Sequence, residues 1–240
     1  MMDWAQRLAL FTPLDAVALA VLVAAWLGIG WRIERGGPGW RPSVSVLMAD
    51  YRREWMRQMV ARDPRIFDAQ IVSNLRQSTA FFASTAVIAV GGVLATLGNV
   101  DRLSGVAGEL TLDSDPRFVW EIKLLVLLVL LTNGFLKFVW SNRLFGYCSV
   151  LMAAVPNDPA DPVALPRAAK AGEINITAAR SYNRGLRSLY FALASGAWLL
   201  GAGALIAAAL VTLVVLWRRE FASTSRAMLL RPDDRTDTGR

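Results

Sequence analysis

Four apolar blocks separated by arginine-rich stretches constrain this chain more than any other feature. They cover residues 13–31, 79–98, 118–140 and 189–217. Each reaches the roughly 20 helical residues that cross a hydrocarbon core about 30 Å thick. A soluble domain of 240 residues can bury a large core, but not unbroken apolar runs of this length. With 55% hydrophobic residues and a mean hydropathy of +0.39, the chain reads as an all-α, polytopic membrane protein.

The charge pattern agrees. The net charge is +7, and 23 of the 26 cationic side chains are arginine; the lysines are Lys123, Lys137 and Lys170. The cations flank the apolar blocks, as the positive-inside rule requires, and do not form the basic face of a soluble module. Nucleic acid is therefore not an expected partner. There is no histidine, and Cys148 is the single cysteine. That composition excludes an internal disulfide, zinc sites built from several His or Cys ligands, His-ligated haem, and Ser-His-Asp or Cys-His catalysis. No HExxH, carboxylate pair or nucleophile motif appears, so neither enzyme chemistry nor a metal or cofactor is expected.

The first block is a poor signal peptide. Arg7 is accompanied by Asp3, and the charge after the block (Arg32, Arg35, Arg41) is far more positive, which reverses secretory polarity. It reads as a retained span with its N-terminus outside. Thr12-Pro13-Leu14-Asp15 is a capping-box start, and Trp26 and Trp31 suit the opposite interface. Residues 36–42 form a break. Residues 43–62 then read as an amphipathic helix at the membrane surface or packed on the spans, its stripe made by Val44, Met48, Tyr51, Trp55 and Met59. Asp63-Pro64 is expected to cap a helix that continues to Gly98 and projects about 20 Å beyond the bilayer. Its small residues Ala80, Ser84, Gly92 and Thr96 form a stripe for close packing within or between subunits. Residues 99–117 are a polar connection with Asp101, Glu109, Asp113 and Asp115, and Asp115-Pro116 is a second cap. The third span is expected to run to about Met152. Four prolines in 155–167 exclude a helix interior, and a helix resumes near Ala168. The tail from Ser223 reads as disordered.

The last block, 29 residues or about 43 Å as one helix, is long for a single crossing. A hairpin turning at Gly201-Ala202-Gly203 is the alternative. Four spans place 15 loop and tail cations on one side and 9 on the other; five spans place 21 against 3. The positive-inside rule favours five, at about 13–31, 79–98, 118–140, 185–200 and 203–217, with the C-terminus cytoplasmic; a single tilted helix, giving four spans, is the alternative. Residues 1–222 then form one membrane domain.

Several segments carry a resemblance: Tyr51-Arg52-Arg53-Glu54-Trp55, Asp68-Ala69-Gln70-Ile71, Phe81-Phe82-Ala83-Ser84-Thr85, Phe138-Val139-Trp140-Ser141, Phe145-Gly146-Tyr147-Cys148-Ser149, Ala179-Arg180-Ser181-Tyr182-Asn183-Arg184-Gly185-Leu186-Arg187 and Trp217-Arg218-Arg219-Glu220-Phe221. Together they resemble a family of bacterial and plant multi-pass membrane proteins catalogued as a domain of unknown function, number five-nine-nine of its series. The likeness covers about residues 13–222. It implies a multi-pass protein of the bacterial inner membrane and brings no activity with it.

Polar groups inside spans are costly and invite a functional reading. Asn133, Lys137 and Ser141 recur every four residues on one face of the third span, with Cys148 further along. Lys137 either snorkels to the headgroups or faces a cavity. Cys148 reads as a packing residue, and Glu121 and Lys123 as interfacial. Gln70, Asn74 and Gln77 form a polar stripe beside Asp68, and Arg180, Asn183, Arg184 and Arg187 lead into the last block. All project from cytoplasmic helix ends. One reading has them converge into a basic, amide-rich pocket for an anionic headgroup or small anion, with Asp68 and Glu173 as internal counter-ions. The other has interface arginines on bulk lipid and amides tying helices together. The leading functional expectation is a non-enzymatic binding or transport protein, in contact with membrane lipids and assembled as a homo-oligomer. A scaffold docking a partner through helix 43–62 is the second, and a lipid-modifying enzyme using Asp68, Glu173 or Lys137 the last.

Overall fold

The computed structural model describes Arg7 and residues 9–37, 39–100 and 116–231. Among these residues all regular structure is helical. We number the helices α1 (Pro13–Glu34), α2 (Val44–Met59), α3 (Ile66–Leu97), α4 (Arg117–Ala153), α5 (Ala164–Gly196), α6 (Ala202–Phe221) and α7 (Thr224–Leu229); a 3₁₀ turn, Ala197–Leu200, joins α5 to α6. Four helical stretches are long and apolar enough to cross a membrane: Pro13–Glu34, Ile66–Leu97, Arg117–Ala153 and Ala202–Leu229. The protein is thus a helical membrane protein by the length and composition of its helices. Helix α5 is not among the four, because its first two thirds carry Arg167, Lys170, Glu173, Arg180 and Arg184 and Arg187 follows.

Local chemistry sets most helix ends. At α1 the capping box forms as expected: Thr12 Oγ1 accepts from the Asp15 N–H (3.2 Å), and the Asp15 carboxylate accepts from the Thr12 N–H (3.0 Å). Ser43 caps α2 by accepting from the Val46 N–H, and its hydroxyl donates to the Ile33 carbonyl at 2.7 Å, which pins α2 to the end of α1. Glu220 of α6 accepts from both the N–H and the hydroxyl of Ser45 (3.1 and 3.0 Å) at the same helix start. The α5–α6 break falls at Gly201, whose φ of +115° lies where side chains with a Cβ are disfavoured.

Three boundaries differ from expectation. Asp63 does not cap α3, which starts at Ile66 after Arg65 without a side-chain cap. Arg65 instead donates to the carbonyls of Val155 (2.7 Å) and Pro156 (2.6 Å), tying the start of α3 to the end of α4. Helix α5 begins at Ala164 and not near Ala168, so Pro166 sits in its first turn, where a missing N–H costs nothing. Residues 223–231, expected as disordered tail, include α7, with Ser223 as its cap and the buried Arg226 donating to the Pro42 carbonyl (2.9 Å). The polar connection with Asp101, Glu109, Asp113 and the Asp115 cap lies outside the described residues, as do residues 232–240.

The long helices α1, α3, α4, α5 and α6 alternate in direction, whereas α2 runs antiparallel to α5 through Ser45–Asn183 and Arg53–Glu173 contacts. Helix α5 runs antiparallel to α4 along its whole length, through Asn133–Ser188, Ser141–Ala178 and Cys148–Ala171 contacts. It also runs antiparallel to α1: Trp198 Nε1 donates to Asp15 Oδ1 (2.7 Å) at one end, and Arg187 meets Glu34 at the other. Helix α6 folds back along α5 so that Arg219 reaches the Tyr190 hydroxyl (3.0 Å). Lipid supplies no hydrophobic drive between helices, so close packing and interhelical hydrogen bonds carry the association. At the α4–α5 crossing Gly134 and Gly185 face each other; a Cβ on Gly134 would lie 3.4 Å from the Gly185 carbonyl oxygen. Phe138 fills the adjacent space, fully buried, stacked on Phe82 and edge-on to Tyr182. By contrast, Ala80, Ser84 and Gly92 of α3 are exposed, and a Cβ added at Gly92 would meet no atom within 4 Å. Helix α3 meets α4 through its other side, including Thr79, Phe82 and Ala86.

Candidate functional site

The residues singled out from the sequence do not gather in one pocket. They divide among several places, of which one is a cleft with unbalanced charge. That cleft, about 330 Å³, opens between α1 and α4 and is floored by α5. Asn133 and Lys137 line it from α4, Arg184, Arg187 and Ser188 from α5, and Trp26, Gly30, Trp31 and Glu34 from α1. The four-residue spacing of Asn133 and Lys137 and the three-residue spacing of Arg184 and Arg187 each put a pair on one helix face, as the sequence indicates.

Glu34 organises the cleft. Arg184 Nε donates to its Oε1 at 2.8 Å, the Arg184 Nη2 donates to Oε2, and the Arg187 Nη2 donates to Oε1. One carboxylate therefore binds two guanidinium groups. Arg187 is buried, its side chain only 7% exposed, whereas Arg184 is half exposed. Neither Asp68 nor Glu173, the counter-ions expected from the sequence, takes part. Glu34 was concealed in the run Trp31-Arg32-Ile33-Glu34-Arg35, which reads as an ordinary charged helix end. The available signal was that it is the one carboxylate between Asp15 and Asp50.

Opposite this triad, Lys137 is half-buried, and its ammonium makes no hydrogen bond or ion pair among the described residues. Its neighbours on the same face serve packing. Asn133 Nδ2 donates to Ser188 Oγ (2.5 Å), Ser141 donates to the Ala178 carbonyl (2.8 Å), and Ser181 returns a bond to the Lys137 carbonyl (3.0 Å). The amide glue and the cleft are thus interleaved on one surface. With Lys137, Arg184 and Arg187 against Glu34 alone, the cleft keeps an excess of positive charge and free donors beside two indoles.

The remaining residues lie elsewhere. Asp68 is completely buried where α2 meets α3, accepting from Trp55 Nε1 (2.7 Å) and from Arg62. Gln70 and Asn74 bond to each other (2.9 Å) on the exposed side of α3, and Gln77 lies near Arg76 and Asn142 in a shallow surface depression. Asn183 donates to Ser45 Oγ (3.3 Å) in the seam among α2, α5 and α6. Arg180 is exposed, with no side-chain partner among the described residues. Glu173 pairs with Arg53 of α2 at 2.7 Å, which raises the Arg53 guanidinium above its ordinary pKa. Lys123, near the start of α4, is buried beside the Trp120 ring, 5.4 Å from its centroid.

A further polar contact, which no motif in the sequence marks, joins Arg52, Asn175 and Cys148. Arg52 donates to Asn175 Oδ1, and Asn175 Nδ2 reaches Cys148 Sγ at 3.5 Å, inside the α2–α4–α5 core. Burial pushes the Arg52 guanidinium below its usual pKa. Two of the segments that carry the resemblance, 51–55 and 145–149, meet at this point.

A family model described as "Protein of unknown function, DUF599" matches residues 17–225. The chain belongs to this family. Its match takes in every helix of the bundle from early α1 to the start of α7, including all the residues that line the cleft. No curated protein and no solved structure matches the chain. Among the described residues no three His, Cys, Asp or Glu side chains gather as a metal-binding group.

Proposed function

We propose that this membrane protein binds an anionic small molecule or lipid headgroup in the cleft between α1 and α4, at the cytoplasmic face of the bacterial inner membrane. The observation that carries the reading is the Lys137 ammonium, without a partner among the described residues, lining a cleft that also holds Arg184 and Arg187. An ammonium and two guanidinium forks suit a phosphate or carboxylate, and Glu34 occupies the forks when no such ligand is present. Ligand binding then exchanges one anion for another. Trp26 and Trp31 at the cleft fit the depth of a membrane interface.

The topology that goes with this proposal has five crossings. Asp15 and Glu34 are about 28 Å apart along α1, and α5 with the 3₁₀ turn that follows it reaches both of them, through Arg187 and through Trp198. A bilayer that encloses α1 therefore encloses the second half of α5 as well. Five crossings bring the arginine-rich loops, the cleft and α7 to one side, the cytoplasmic side by the positive-inside rule. The outward face of Ala80, Ser84 and Gly92 supports contact between copies of the chain.

Titration of the detergent-purified chain with glycerol 3-phosphate, a headgroup without acyl chains, tests the cleft. Saturable binding is expected, weakened roughly tenfold or more in Lys137→Gln, the loss of one charge-assisted hydrogen bond. Unchanged affinity in a folded Lys137→Gln protein removes the cleft from the account.

A further inference from the structure

A second concavity shares no residue with the cleft. It is an apolar groove of about 600 Å³ between α1 and α6, walled by Val21, Gly28, Leu210, Val214 and Trp217 and ending at Arg32. From Val21 to Arg32 it extends about 17 Å along α1, close to the depth of one leaflet, half of a core about 30 Å thick. Its volume is within the range of small-molecule sites, about 300–1,000 Å³.

The end of the groove is built unlike its walls. The Arg32 guanidinium lies over the Phe221 ring (4.4 Å to the centroid) and between the Trp40 and Trp217 rings (5.0 and 5.7 Å). Its Nη2 donates to the Arg41 carbonyl at 3.2 Å, whereas its Nη1 is buried and has no acceptor among the described residues. A buried guanidinium N–H without an acceptor costs more than an ordinary missing hydrogen bond. Arg35, stacked on Trp31 at 3.8 Å, and Arg41 add charge nearby. None of these three arginines has a carboxylate partner among the described residues. Aromatic rings fix the cation in place, and no carboxylate among the described residues neutralises it.

We infer that the groove is a site for an anionic phospholipid, with one acyl chain between α1 and α6 and the phosphate drawn to the Arg32 guanidinium at the polar end of the groove. Hydrocarbon walls one leaflet deep match the chain, and the uncompensated guanidinium at their polar end matches the phosphate. The arrangement distinguishes anionic from zwitterionic lipids by charge and, unlike the cleft, requires the acyl chain.

The test uses the full chain in detergent micelles, offered phosphatidylglycerol or phosphatidylcholine, with bound lipid counted by native mass spectrometry. Phosphatidylglycerol is expected to be retained over phosphatidylcholine, in a fraction that glycerol 3-phosphate does not displace. Arg32→Gln should reduce that preference roughly tenfold or more. Gly28→Phe should block the groove while leaving Arg32 in place, since no atom lies within 4 Å of a Cβ added at Gly28; this variant decides the matter if Arg32→Gln does not fold. Lys137→Gln should leave the same fraction unchanged, which separates the groove from the cleft. Equal retention of the two lipids overturns the inference. So does a folded Arg32→Gln or Gly28→Phe protein that keeps the preference, displacement by glycerol 3-phosphate, or a dimer in place of bound lipid.

Discussion

Gly185→Leu is expected to abolish the folded protein, with Gly185→Ala intermediate. A Cβ at this position would lie 2.7 Å from Phe138 Cε1 and 2.9 Å from Cζ. Phe138 cannot yield, because it is fully buried with its ring stacked on Phe82 at 5.6 Å. Nor can the backbone retreat without parting Gly134 from Gly185 and breaking the bonds from Ser141 to Ala178 and from Ser181 to Lys137. Overpacking by one methyl costs about 1–3 kcal/mol. Alanine should therefore lower the thermal midpoint in detergent, and leucine should leave no monodisperse peak in size-exclusion chromatography. A Gly185→Leu protein with the wild-type midpoint would mean that α4 and α5 do not cross as closely as described.

The second large effect is expected at Glu34. Glu34→Gln leaves two guanidinium groups facing an amide, and the Arg187 side chain is only 7% exposed. Breaking a buried ion pair from one side costs about 3–5 kcal/mol. Because Glu34 is a quarter exposed and Arg184 half exposed, the lower end of that range applies. The same change removes the internal competitor for the cleft. Glycerol 3-phosphate should therefore bind Glu34→Gln more tightly than wild type and return much of the lost stability, about 2.7 kcal/mol at a hundredfold excess over Kd. Thermal melts with and without the phosphate read both effects. A destabilised Glu34→Gln protein that the phosphate does not rescue would leave Glu34 a structural partner alone.

How far the sequence discloses this molecule depends on the range of the interaction concerned. The α1 cap, the lengths of α3 and α4 and the break at Gly201 rest on residues within a turn or two of each other, and they are where the sequence places them. Pro166 misleads because a proline that excludes a helix interior is harmless in a first turn. Directions relative to the bundle are less legible. Gln70, Asn74 and Gln77 do share a face, but periodicity cannot say whether that face points into the bundle, and it points out. Pairings distant in sequence are least legible. Glu34 lies 150 residues from Arg184, while Asp68, which the sequence offers as the counter-ion, is taken by its neighbours Arg62 and Trp55. Asn133 and Lys137 are recognisable because an amide and an amine inside an apolar block stand out. That one bonds to Ser188 and the other has no partner among the described residues depends on the position of α5.

Everything proposed for the cleft and the groove rests on α5 and α6 forming a transmembrane hairpin. Cysteine accessibility in intact cells measures it, in a Cys148→Ala background that removes the single native, buried thiol. One cysteine replaces Gly203, beside the turn, and another replaces Ser225, at the opposite end of α6 in α7. The account predicts that a membrane-impermeant maleimide labels position 203 from outside and position 225 only after permeabilisation. Labelling of both positions from the same side would contradict it.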